Sequence, residues 1–194
     1  MAMRTAAQEP ARSARERLLD AANELFYAEG VHTVGIDRVI EKAGVAKASL
    51  YNTFGSKDEL VRAYLEGRHA RMAARITRHV DGQQSARGKL LAVFEAQGEL
   101  FAEPDFRGCA FARATAEAHS TVVDQAADGY RAWVRALLTG LARDAGAPDP
   151  GGLGLQLHMI YDGASQSARM DHAPAAAAAR AAAAVLLDAA LAEG

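Results

Sequence analysis

The segment from Ile36 to Phe54, IDRVIEKAGVAKASLYNTF, leaves this chain little choice of fold. Ile36, Val39, Ile40 and Ala43 recur at the i, i+3, i+4, i+7 spacing that lines up one face of an α-helix. Gly44 follows where the chain must reverse, a position that favours a residue free to take φ > 0. Val45 plugs the turn, and Leu50 and Phe54, four residues apart, anchor a second short helix to the same core. The pattern predicts a helix-turn-helix. On the outer side of its second helix remain Lys47, Ala48, Ser49, Tyr51 and Asn52. These are small, hydroxylated, amide and cationic groups, suited to phosphates and base edges in a major groove. The same local pattern occurs in helical proteins that never touch DNA, so the flanks matter.

Upstream, Ser13-Ala14-Arg15-Glu16 has the S-x-x-E form of a capping box and opens a helix whose buried stripe is Leu18, Ala22, Leu25 and Phe26. Gly30 is placed to end it. Downstream, Ser56-Lys57-Asp58-Glu59 reads as a second capping box. A helix starting there turns its free backbone N–H groups and positive dipole end outward with Lys57 in its first turn, a place to hold a phosphate.

From about Arg15 to Gly67 the run LLDAANELFYAEG…IDRVIEKAGVAKASLYNTFGSKDELVRAYLEG resembles the DNA-binding domain of the TetR family of transcriptional repressors. The resemblance implies an all-α chain: a tri-helical helix-turn-helix domain at 13–67, with its linking helix continuing to about 80. A helical effector-binding and dimerisation domain follows at 81–194. It implies a homodimer on a palindromic double-stranded operator, released by a small-molecule effector in the cytoplasm. Lys47, Ser49, Tyr51 and Asn52 fall on recognition-helix positions that meet DNA, and Tyr51 and Lys57 on positions that touch the phosphate backbone. Thr33 stands near a further phosphate-contacting hydroxyl. The chain departs from the family pattern in places. Val34-Gly35 replaces the usual Thr-Ser and Ala46 the usual Ser, so both motif helices lose a side-chain cap worth about 1 kcal/mol. Ala48 stands for Gly and Gly55 for Pro. These losses keep open a competing expectation, a helical ligand-binding or adaptor protein that no longer reads DNA.

The net charge of −2 argues against nucleic acid until its distribution is read. Residues 1–80 hold 13 Lys and Arg against 10 Asp and Glu, so the half with the motif is positive. Residues 1–12 read as a disordered arm whose Arg4 and Arg12, with Arg15 just beyond, trail along DNA, or equally as a solvated tail. No signal-peptide pattern is visible, and no apolar stretch reads as a bilayer span. The single Cys109 excludes an internal disulfide and is expected to be a packing residue rather than a redox sensor.

After a break at Asp81-Gly82, helical patterns run over 86–102, 109–119, 122–145, 153–170 and 175–192, with Gly146 to Gly152 and Pro174 as punctuation. Phe94, Phe101, Phe111, Trp133, Met159 and Tyr161 are bulky groups that the resemblance places around an effector cavity. Phe94, Gln97, Phe111, Trp133, His158 and Tyr161 are the candidate ligand contacts, with Arg113 a further polar candidate, and the effector is expected to be largely apolar. Positions 175–184 hold nine alanines and Arg180, which predicts close helix packing. Together with 153–170 this helix is expected to form a four-helix dimer interface.

Catalysis finds little support. The six histidines include no i, i+4 pair for a metal. Glu66-x-x-His69 occurs once where a di-iron bundle needs two copies. Gly151-Gly152-Leu153-Gly154 has no preceding strand, which removes a dinucleotide fingerprint. No enzyme, cofactor or metal is expected.

Overall fold

The computed structural model describes residues 12–171 and 173–192. Among these residues there is no β-strand, and the chain order is α1 Ala14–Glu29, α2 Ile36–Ala43, α3 Lys47–Phe54, α4 Lys57–Asp81, α5 Ala86–Phe101, α6 Ala110–Glu117, α7 Thr121–Asp144, α8 Pro150–Asp171 and α9 Ala173–Ala192. The arm expected at 1–12 lies, apart from Arg12, outside the described residues; Arg12 pairs with Asp20 at 2.8 Å.

The first capping box forms in full. Ser13 Oγ accepts from the Glu16 N–H while the Ser13 N–H donates to the Glu16 carboxylate at 2.8 Å. The second forms only by half. Ser56 Oγ accepts from the Glu59 N–H at 3.1 Å, but the Glu59 carboxylate turns to Arg62 one turn on. A cation three residues away outcompetes a neutral amide for the carboxylate.

Gly44 takes the left-handed conformation, φ 61°, and its N–H and that of Val45 close back on the end of α2. That pair of bonds fixes the sharp angle between α2 and α3. Val34, Val39 and Leu50 are fully buried with Leu18 and Ala22 of α1, so three helices share one small core. The 25-residue α4 then carries the chain out of this head. Leu60, Val61, Tyr64 and Leu65 are buried near its start and Met72 and Ile76 near its end.

In the body, α7 and α8 lie against each other, and α9 packs on both α5 and α8. Gly151 and Gly152 belong to α8, where the punctuation had suggested a loop. Pro150 fits the first helical turn, where its missing N–H costs nothing, and Asp149 accepts from the Gly152 N–H at 2.9 Å. A Cβ at Gly154 would come within 2.9 Å of Thr139 Cα, so glycine there lets α7 and α8 approach.

Along α9, Ala175, Ala179, Ala183 and Leu187 face into the subunit, and Arg180–Glu95 and Arg87–Asp188 ion pairs tie the helix to α5. Alanine-rich faces thus serve the subunit's own core as well as any partner. The stretch Pro174–Ala192 is long and apolar enough to cross a membrane by length and composition, with mean hydropathy 1.6, contrary to the sequence expectation. Its apolarity comes largely from alanine methyl groups, which a search for bulky apolar runs passes over.

Candidate nucleic-acid interface and the cavity behind it

The outer surface of α3 carries the predicted groups. Lys47, Tyr51 and Asn52 are exposed and Ser49 is half-buried, with Thr33 exposed on the turn before α2. Tyr51 keeps 45% of its surface in solvent, a large ring with no packing reason to stand there. Gly35 and Ala46 cap α2 and α3 without any side-chain hydrogen bond, as their lack of an oxygen requires. Val34, where the resemblance led one to expect a hydroxyl, is a core plug.

Most cations of the head already have partners. Lys47 Nζ lies 2.8 Å from Asp37, which raises its pKa; Arg38 is paired with Glu29 and Lys42 with Glu24. Arg17 donates to the Gly44 carbonyl at 3.1 Å, bracing the turn. Lys57 differs. Among the described residues it makes no ion pair, and partial burial lowers its pKa. A cation partly stripped of water and without an ion-pair partner, set beside Asp58 in the first turn of α4, is a ready contact for an anion.

Behind the head, α4, α5, α6, α7 and α8 enclose a cavity of about 90 Å³. That is small against the roughly 300–1,000 Å³ of pockets for drug-sized ligands. Of the predicted ligand residues, Gln97, Phe111 and Tyr161 line it. Phe94, Trp133 and His158 do not. Phe94 stands behind Tyr161, edge to face at 6.4 Å, and is itself buried. Trp133 packs on His69 at 4.7 Å, one turn away from the cavity side of α7. His158 faces Asp162 at 3.7 Å, and burial lowers its pKa. Arg113 donates to the Tyr27 carbonyl at 2.7 Å instead of lining the cavity. Met159, expected among the bulky core groups, is 69% exposed. Cys109 lines the cavity, and burial pushes its thiol pKa up, against a reactive thiolate.

Sequence reasoning missed the cationic wall. Arg68, Arg71 and Arg75, at i, i+3, i+7 on α4, line the cavity together with Tyr27 of α1. The helical spacing of three arginines was the available signal; it reads equally as a solvated face. The Arg68 guanidinium lies 3.5 Å from the centroid of the Tyr27 ring. The Tyr27 hydroxyl donates to the Gly108 carbonyl at 3.1 Å and accepts from the Arg107 N–H at 2.9 Å. One side chain of the head is therefore both a cavity wall and the tie to the segment before α6. Further along, Ser120 donates to Asp58 at 2.7 Å, next to Lys57. Tyr27 and the Ser120–Asp58 bond thus tie the body to α1 and to the first turn of α4.

A surface stripe on the far side of the body is also apolar. On α8, Leu155, Met159, Gly163 and Met170 are exposed, and on α9 Ala178, Ala182, Val185 and Ala189.

Comparison with known proteins covers head and body. The family described as "Bacterial regulatory proteins, tetR family" matches residues 18–64. The HTH-type transcriptional regulator TtgW of Pseudomonas putida is 33% identical over 107 residues, 53% of this chain and 78% of that protein. The HTH-type transcriptional activator FasR of Mycolicibacterium smegmatis is 39% identical over 101 residues, 48% of this chain and only 42% of FasR. Over nearly the whole length, the crystal structure of a TetR-family transcriptional regulator from Streptomyces coelicolor superposes with a TM-score of 0.85 at 34% identity. That match covers 91% of this chain and 95% of the other.

Proposed function

The chain belongs to the TetR family of bacterial regulatory proteins, and from that premise we propose that it is a dimeric repressor, released from a palindromic operator by a small effector. The single observation that carries this reading is the free face of α3, with Lys47, Tyr51 and Asn52 in solvent beside the unpaired Lys57. The head is taken as residues 13–67 with α4 as its link, and the effector and dimer domain as 81–194. Lys57, Tyr51 and Thr33 position the protein on phosphates, and Asn52 and Ser49 reach base edges. Lys47 joins them by exchanging Asp37 for a phosphate oxygen.

The exposed apolar stripes of α8 and α9 support the dimer, since a two-fold interface needs one self-complementary patch. Effector bound in the cavity acts through Tyr27 and Arg68 on the set of α1 against α4, changing the separation of the two heads. It shifts operator affinity only by its differential affinity for the two arrangements. The work of such a protein is on cytoplasmic DNA, and α9 is read as an interface helix, not a membrane span. Repression is the sign proposed here; FasR is by its name an activator.

A mobility shift with the DNA upstream of the protein's own gene tests the reading. Retention at low salt that weakens steeply as salt rises supports it. No retention at any salt favours the competing reading, a helical ligand-binding protein that no longer reads DNA.

A further inference from the structure

Three arginines line the cavity, but only one of them is neutralised. Arg75 is held by Glu103 and, at 3.3 Å, by Glu99. Arg71 bonds the neutral Asn23 Oδ1 at 2.6 Å. Arg68 rests on the faces of Tyr27 and Tyr64 and has no carboxylate partner among the described residues. Arg71 bears the consequence: burial, then the nearby Arg68 charge, lower its pKa. The cavity therefore holds an excess of positive charge against walls of Phe106, Phe111 and Tyr130.

Two polar atoms at this cavity are also left over. The Nε–H of Arg68 is buried with no acceptor, and Gln97 Oε1 is buried with no donor. Gln97 is only 1% exposed, and its amide N–H groups are spent on the Tyr161 carbonyl at 2.8 Å and Ser165 Oγ at 2.9 Å. Its orientation is thereby fixed, and the orphaned oxygen follows. The nearby phenols Tyr130 and Tyr161 bond each other at 2.8 Å, so each has one partner and one hydroxyl proton of the pair is still free to donate. Buried polar atoms without partners are uncommon and call for an occupant.

Resting on the reading of this cavity as the effector site, we propose that the effector is a small organic monocarboxylate with a hydrogen-bond donor at its other end. Arg68 takes the carboxylate and Gln97 Oε1 takes the donor. Water fills either atom singly but leaves the charge uncompensated, whereas a carboxylate answers both the charge and the free N–H. The volume of about 90 Å³ limits the body to a single ring or a short chain. A carboxylate on Arg68 competes with the Tyr27 ring for the guanidinium, which places the ligand's charge one contact away from the bonds that Tyr27 makes to Arg107 and Gly108.

Titration calorimetry of the full chain, without DNA, tests the ligand class. The probes are 2-, 3- and 4-hydroxybenzoate, benzoate and the matching hydroxybenzamides. At least one hydroxybenzoate is expected to bind about 10- to 100-fold tighter than its amide, the range of one hydrogen bond to a charged group. It is also expected to bind more tightly than benzoate. Arg68→Gln should erase the preference for acid over amide, while Arg68→Lys should keep part of it; circular dichroism verifies that both are folded. Amides binding as well as acids, an Arg68→Gln variant that binds as the parent does, or no acid binding at all would overturn the proposal. Release of DNA is measured separately. An acid that binds without releasing DNA leaves the ligand class standing and refutes the effector role.

Discussion

Met159 offers the most direct test of how two heads come to act together. It lies mid-way along α8, 69% exposed in a single subunit, in line with Leu155 and Gly163. Full burial of a methionine side chain is worth roughly 1.5–3 kcal/mol. With 69% of its surface still to be covered, each copy gains about 1–2 kcal/mol on pairing. A two-fold interface uses the residue twice, so the pair contributes about 2–4 kcal/mol, or roughly 30- to 700-fold in the dimer dissociation constant. Met159→Ala should weaken dimerisation by an amount within that range. Met159→Asp should weaken it further, since two carboxylates would be buried without partners. Because the side chain is exposed in the subunit, neither change should lower the stability of the isolated chain. Sedimentation equilibrium reads the dissociation constant, and urea unfolding at low concentration reads the subunit. An unchanged dissociation constant in the aspartate variant would refute the assignment of the α8 face to the dimer.

Other perturbations have equally definite outcomes. Lys57→Ala should weaken binding to all DNA sequences and reduce the slope of log K against log salt by about 0.9, the share of one phosphate contact; an anisotropy titration at several salt concentrations measures it. Gly154→Ala should destabilise by about 1–3 kcal/mol through overpacking against Thr139, while Gly140→Ala, with nothing near its new Cβ, should gain about 0.5–1 kcal/mol of helix propensity. Urea midpoints compare the two. Glu99 is held to a pKa of about 2, first by its hydrogen bond to His79 and then by Arg78 and Arg75. Its folded pKa lies below its ordinary 4.5, so its contribution to stability is present above pH 4.5 and is lost as the pH falls toward 2. Glu99→Gln should therefore flatten the acid limb of the stability curve in that window, measured by urea unfolding between pH 5 and pH 3.

The head was legible because its signals are local. Gly44, the apolar face of α2 and the Ser13 box each act within a few residues, and the Arg15–Gly67 resemblance added the positions proposed to meet DNA. The half-formed box at Ser56 shows the limit: Glu59 had a second partner, Arg62, that the S-x-x-E pattern does not weigh. The cavity was legible only in part. Gln97 stood out as a polar group on an apolar face, and Phe111 and Tyr161 as bulky ones, yet all three belong to a site closed by α1 and α4. Tyr27 and Arg68 are brought there by tertiary packing between segments about forty residues apart, which no helical period records. The expectation of a largely apolar effector was drawn without the three arginines of α4, for the same reason. On α8, glycine was read as punctuation, but Asp149 and Pro150 start the helix before it.

Selection of bound duplexes from a random pool tests the central claim most directly. An inverted repeat is expected, with half-site centres about one helical turn, roughly 34–36 Å, apart, or wider if the duplex is overtwisted. Asn52→Ala should relax the preference at matching positions in both halves. A pool that stays random, or a single asymmetric site indifferent to Asn52, would contradict it.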